Sequence, residues 1–176
     1  MSFLSRIFGS PLFGKRRDDR AQVRPLWHRI VEIAREKQWY ADCGVADTVP
    51  GRFDAITLVL SLVLLRMEGE DALIEPSVRL TEIFVEDMDG QLRESGVGDV
   101  VVGKHIGKLM SVLGGRLGAY REALGQDEAA MVEAVTRNVS LAESGDPARV
   151  ARQAMVLSGQ LAALSAEDVL AARIAR

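Results

Sequence analysis

From residue 23 onward, apolar positions recur at helical spacing, and no stretch alternates long enough to predict a strand. Leu26, Ile30, Ile33, Ala34 and Lys37 trace one face of a first predicted helix, from about Val23 to Tyr40. Pro25 suits its first turn and Gly44 its end. Phe53, Ile56, Leu60, Val63, Leu64 and Met67 mark a second helix, from about Phe53 to Glu68. Val59 and Leu62 widen its apolar arc, so this helix is predicted to be central and buried on most sides. Gly69 ends it. A third helix starts near Pro76 and reaches about Ser95, with Val78, Leu80, Ile83, Phe84, Met88 and Leu92 inward. Glu82, Glu86, Asp87, Asp89 and Glu94 make its other side acidic.

Gly96-Val97-Gly98-Asp99 reads as a tight link, with Asp99 capping a fourth helix that extends to about Leu124. Ile106, Leu109, Met110, Leu113, Leu117 and Tyr120 give its apolar face. Gly103, Gly107, Gly114, Gly115 and Gly118 are costly in a helix, at up to about 1 kcal/mol each relative to Ala. They predict either close packing on a neighbour or a kink. Three shorter helices follow. One runs from Asp127 to about Glu143, and one from Asp146-Pro147 to about Ala163. The last opens at the capping sequence Ser165-Ala-Glu-Asp168 and runs through Val169, Leu170 and Ile174. The fold class is therefore all-α: a compact bundle of about six or seven helices, spanning residues 21–176 as one domain.

Residues 1–20 have a different pattern. Phe3, Leu4, Ile7, Phe8, Leu12 and Phe13 precede the basic cluster Lys15, Arg16, Arg17 and Arg20, while Gly9, Pro11 and Gly14 break any long helix. Two readings stand: a flexible leader, or a membrane-surface segment that buries its Phe and Leu side chains at the interface. In the second reading Lys15, Arg16 and Arg17 meet anionic headgroups. The segment has no h-region of a secretory signal and carries Asp18 and Asp19, which argues against a transit peptide.

Composition narrows the chemistry. Hydrophobic residues are 48% of the 176-residue chain, enough to bury a core. The net charge of −3 offers no concentrated basic surface, so nucleic acid is not an expected partner. Cys43 is the single cysteine, and with His28 and His105 it lacks paired metal-ligand spacing; neither metal nor cofactor is expected. The longest apolar stretch, Ala55 to Leu65, is shorter than the ~20 residues of a membrane span.

Several motifs fail on context. Gly98 to Lys104 satisfies G-x-x-x-x-G-K, yet no strand precedes it and His105 stands where a Ser or Thr should follow. Glu86-Asp87-Met88-Asp89 does not continue into the alternating ligands of a calcium loop. No serine sits in a G-x-S-x-G context, and no nucleophile is paired with a base, so catalysis is not expected.

Two stretches carry a resemblance. Asp47-Thr-Val-Pro-Gly-Arg-Phe-Asp54 leads into the second helix. Phe84-Val-Glu-Asp-Met-Asp-Gly-Gln-Leu-Arg-Glu-Ser-Gly-Val-Gly-Asp99 continues to Val102-Gly-Lys104 and Lys108. Over roughly Leu26 to Leu124 the chain resembles the ubiquinol–cytochrome c chaperone family. It departs from that pattern at Gly90, mid-helix, and at His105, where a basic residue is expected. The resemblance implies an all-α assembly chaperone that binds newly made cytochrome b and assists biogenesis of the ubiquinol–cytochrome c reductase complex. It further implies partner contacts through Asp54, Asp87, Asp89, Arg93, Asp99, Lys104 and Lys108, with Val100 to Val102 as an apolar anchor. The expected client is cytochrome b or another membrane protein. The expected location is the cytoplasm, at the inner face of a bacterial plasma membrane in preference to the mitochondrial matrix. A general helical scaffold for membrane-protein assembly is the alternative. A small enzyme gathering His28, His105 and carboxylates is the remaining one.

Overall fold

The computed structural model describes residues 20–94 and 102–175, the side chains of 91–94 and 102–105 excepted. The described residues form α1 (Arg24–Ala34), α2 (Val49–Met67), α3 (Asp71–Glu94), α4 (Val102–Leu124), α5 (Glu128–Asn138), α6 (Pro147–Ala162) and α7 (Ala166–Leu170). A π-helical turn, Gln38–Asp42, follows α1. The predicted all-α class is what the chain adopts, and no described helix is long and apolar enough to cross a membrane.

The second helix is the axis of the bundle, as its wide apolar arc predicts. It packs on α1, α3, α4 and α6, and is buried along nearly its whole length. Each of its Leu, Val and Ile side chains contributes roughly 1.5–3 kcal/mol on full burial. Its two buried hydroxyls are satisfied within the helix. Thr57 donates to the Phe53 and Asp54 carbonyls (both 3.0 Å), and Ser61 donates to the Thr57 carbonyl (2.6 Å). Thr48 caps its N-terminus, accepting from the Gly51 amide at 3.3 Å, so the helix begins one turn earlier than Phe53. Only glycine fits at 51, because a Cβ there would lie 2.0 Å from the Ala46 carbonyl oxygen.

The first helix stops at Ala34, short of the predicted Tyr40. Trp39 turns into the core, where it is fully buried, and its indole donates to the Ile33 carbonyl (2.8 Å). The Tyr40 hydroxyl donates to the Ala34 carbonyl (2.8 Å). Two aromatic side chains thus take the carbonyls that a continuing helix would have satisfied.

Pro76 lies inside α3, which begins a turn before the predicted start. Leu73 is fully buried and draws that turn onto the core. The carbonyl that Pro76 leaves without an amide partner belongs to solvent-exposed Ala72. Three glycines of the fourth helix are not used for close packing. A Cβ at Gly107, Gly115 or Gly118 would meet nothing within 4 Å. Its cap Asp99 lies outside the described residues.

The fifth helix ends at Asn138, not near Glu143, because Val139 to Ala142 leave the helix for a partner in the other connector. The Ala46 amide donates to the Ser140 carbonyl and the Ala142 amide to the Gly44 carbonyl, both at 2.9 Å, around an isolated bridge between Val45 and Leu141. Gly44, at φ +80°, and Gly145 abut so closely that a Cβ on either would meet the other's backbone within 2.5 Å. Ala172, at φ +57°, turns the chain out of α7 before Ile174, whose carbonyl accepts from Arg29 (2.8 Å).

Candidate functional site

Two groups of charged side chains stand out, one inside the bundle and one at its surface. The inner group is built on Asp54, in the second turn of α2, and Arg116, on α4. Both side chains are nearly buried, at 8% and 12% exposure. One Asp54 carboxylate oxygen accepts from Arg116 Nη2. The other accepts from the Ser140 amide (2.9 Å) and the Ser140 hydroxyl (2.7 Å). Arg116 Nη1 donates to the Thr57 hydroxyl, and the guanidinium lies 5.4 Å from the Phe53 ring centroid. Burial holds the Tyr120 phenol above its usual pKa, with Arg116 opposing that shift and Asp54 adding to it. The group ties α2, α4 and the Val139–Leu141 connector together, and both Asp54 carboxylate oxygens are hydrogen-bonded within it.

The outer group lies where α1 and α3 diverge. There a cleft of about 490 Å³ is lined by Arg24, Trp27, His28, Val31, Glu32, Ile83, Glu86 and Asp87. Trp27 and Ile83 are buried in its floor, and Trp27 meets Phe84 edge-on with ring centroids 6.0 Å apart. The charged residues line its lips. Glu32 pairs with Arg29 at 3.1 Å, and Glu86 pairs with Arg20. Asp87 and Arg24 make no ion pair with any described residue. Exposed pairs of this kind are worth only about 0–1 kcal/mol each, so these carboxylates contribute little to the fold.

The predicted partner residues therefore separate. Asp54 is inside, held by Arg116 and Ser140. Asp87 is exposed on the cleft, and Asp89, half-buried, lies two residues further along α3. Lys108 is exposed on α4. Asp99 and Val100–Val101 lie outside the described residues, as do the side chains of Arg93, Val102 and Lys104. So do Phe3, Leu4, Ile7, Phe8, Phe13, Lys15, Arg16 and Arg17. Glu82, assigned from sequence to the acidic outer side, is buried: Arg79 (3.3 Å) and Arg20 (3.2 Å) hold it against the bundle. Sequence pattern did not reveal Arg116, Arg20 or Ser140 as partners, because each meets its carboxylate from more than fifty residues away. The available signal for Asp54 was a carboxylate at the start of the apolar run of α2. His28 stands on the cleft beside Glu32 and Asp87, while the His105 side chain is outside the described set. Among the described residues no cluster of three or more His, Cys, Asp or Glu is placed to hold a metal ion.

Fold and site together define the class: an all-α body that carries a charged, exposed cleft beside a sealed interior ion pair. The family model for ubiquinol-cytochrome C chaperone matches residues 41–175, and the chain belongs to that family. The structure is similar to the crystal structure of the Cbp3 homolog from Brucella abortus, with a TM-score of 0.78 and 35% identity over 89% of each chain. No curated protein matches the chain.

Proposed function

We propose that this protein is an assembly chaperone of the ubiquinol–cytochrome c reductase complex that holds newly made cytochrome b until it joins its partner subunits. The observation that carries this reading is the family match over residues 41–175, together with 35% identity to a Cbp3 homolog across most of both chains. The α1–α3 cleft is the surface we assign to the client. Its apolar floor offers burial and its lips offer charges that the fold does not use, which is what sets register and specificity at a protein interface. Asp87 and Asp89 on α3 and Lys108 on α4 are the described charged contacts of this reading. Arg93, Asp99 and Lys104 are the further contacts that the family resemblance implies, and Asp54 acts from within by holding α2 against α4. Binding alone suffices for such a role, so no catalytic residue is assigned. Residues Phe3 to Arg17 supply contact with the anionic membrane where the client is inserted.

A photo-crosslinking side chain at position 87 of the tagged protein tests this. Cytochrome b is expected as the principal adduct from membranes, and cells lacking the protein are expected to lose cytochrome b and reductase activity. A spread of unrelated membrane proteins in its place would point instead to a general scaffold. Normal cytochrome b levels without the protein would overturn the proposal.

A further inference from the structure

The lips of the α1–α3 cleft carry more negative charge than the fold uses. Three carboxylates, Glu32, Glu86 and Asp87, stand there against one guanidinium, Arg24. Asp87 makes no ion pair with any described residue. Glu32 and Glu86 are paired, but each of their partners is anchored a second time. Arg29 reaches Glu32 with Nη1 (3.1 Å) and donates from Nε and Nη2 to the Ile174 carbonyl (3.1 and 2.8 Å). Arg20 reaches Glu86 with Nη1 and holds the buried Glu82 with Nε (3.2 Å). Both cleft carboxylates are exposed, at 65% for Glu32 and 52% for Glu86. An exposed pair is worth about 0–1 kcal/mol, so either carboxylate can turn to an arriving cation at little cost. The arginine left behind keeps Ile174 or Glu82 as its acceptor, and no buried charge is stranded.

The floor between these lips is apolar. Trp27 and Ile83 are buried there, and Val31 packs against the core beside them. The volume of about 490 Å³ falls in the range of roughly 300–1,000 Å³ that encloses a drug-sized ligand, enough for an aromatic side chain and the stem of a neighbouring Lys or Arg. A ring packs well edge-on or offset against Trp27, and a basic side chain lays its stem on apolar surface while its head reaches a carboxylate. Rings and cations close together in sequence mark one kind of polypeptide. Membrane proteins concentrate Lys and Arg within about 15–20 residues of their spans on the inner side, and place Trp and Tyr at the same interface.

We propose that the α1–α3 cleft recognises a juxtamembrane segment of its client. An aromatic side chain rests on Trp27 and Ile83, and neighbouring Lys or Arg side chains pair with Asp87, Glu32 and Glu86. This names the part of the client that the proposed function leaves open, and it rests on that reading. Such a segment otherwise binds anionic headgroups through the same cations. Held on carboxylates, it is kept off the membrane surface until the partner subunits arrive. Arg24, about two turns before Glu32 on α1, repels cations and so biases the direction in which the segment lies.

The test titrates full-length protein with a fluorescein-labelled peptide, Gly-Lys-Tyr-Leu-Arg-Lys-Gly. One control peptide replaces its cations by Glu, and another replaces its Tyr and Leu by Ser. The parent peptide is expected to bind, and both controls to bind at least about tenfold more weakly. The double variant Glu32→Gln, Asp87→Asn should weaken parent-peptide binding by about tenfold, near the upper range for two exposed pairs. Glu133→Gln, an exposed change on α5, should leave binding as it is. All these changes are at exposed side chains, so unfolding in urea should match the parent protein. A peptide that binds no better than its Glu control, or that binds the double variant as tightly as the parent protein, overturns the proposal. So does a protein that binds no peptide until Lys15, Arg16 and Arg17 are replaced by Glu, since the chain's own basic residues would then be the occupant. Binding lost as protein concentration rises would overturn it in favour of a second copy. Peptide binding as expected, with cytochrome b absent from the crosslinked adducts, would remove the proposed client and leave the preference of the cleft standing.

Discussion

The Asp54–Arg116 group and the α1–α3 cleft both contain carboxylates and guanidinium groups, and the bundle treats them in opposite ways. Inside, Asp54 accepts from Arg116 and twice from Ser140, so removal from water is matched by hydrogen bonds to each oxygen. At the cleft, Asp87 and Arg24 stay in solvent without an ion pair among the described residues. Charge that the fold needs is closed off by the fold, and charge left open is available for recognition. Acidic residues close together on one helix can thus have different surroundings: on α3, Glu82 is sealed against the bundle and Asp87, five positions on, is exposed.

The comparison is most exposed to failure at Asp54. Asp54→Ala would strand Arg116 and Ser140, and stability to urea is expected to fall by about 3–5 kcal/mol. Adding Arg116→Met should recover much of that loss, since no buried charge would then lack a partner. A loss below about 1 kcal/mol for Asp54→Ala would show that the interior pair does not hold α2 to α4.

At the cleft the expected outcome is the reverse. Asp87→Lys should leave urea stability within about 0.5 kcal/mol of the parent, as for other exposed changes. Crosslinking to the client from a neighbouring cleft position, Glu32, should fall severalfold. Equal losses of stability for Asp54→Ala and Asp87→Lys would erase the distinction between the two regions.

The smallest effects concern two surface carboxyls at helix starts. Asp47 is held below the ordinary carboxylate range by the hydrogen bond from Arg52. Asp168 is held there by the Ser165 hydroxyl first and by Arg173 second. A pKa depressed in the folded state stabilises the fold above the unfolded value, and that stabilisation disappears as pH falls through the folded value. Carboxyl titration by NMR should therefore show both midpoints below those of ordinary aspartates. Ser165→Ala should raise the Asp168 midpoint more than Arg173→Gln does; the opposite order would assign the shift to the ion pair.

Much of the fold was legible because helical spacing and capping are local. The apolar arc of α2, the Asp146-Pro147 start of α6 and the Ser165 cap of α7 were readable within a few residues of chain. The misplaced boundaries have two causes. At the end of α1 the Trp39 and Tyr40 side chains take carbonyls six residues back, whereas Leu73 draws α3 back past Pro76 by its burial in the core and Val139 to Ala142 leave α5 to pair with the distant Gly44 to Ala46. Gly107, Gly115 and Gly118 of α4 mislead for a different reason. Their spacing permits close packing, yet the described neighbours lie elsewhere.

The order of charged and apolar residues, by itself, determined that this chain is a helical bundle, and its two signature stretches determined the family it resembles. Which carboxylate faces water was decided only when the helices came together. A charge is buried or exposed according to what packs over it, and the groups that seal Asp54 and Glu82 arrive from remote parts of the chain.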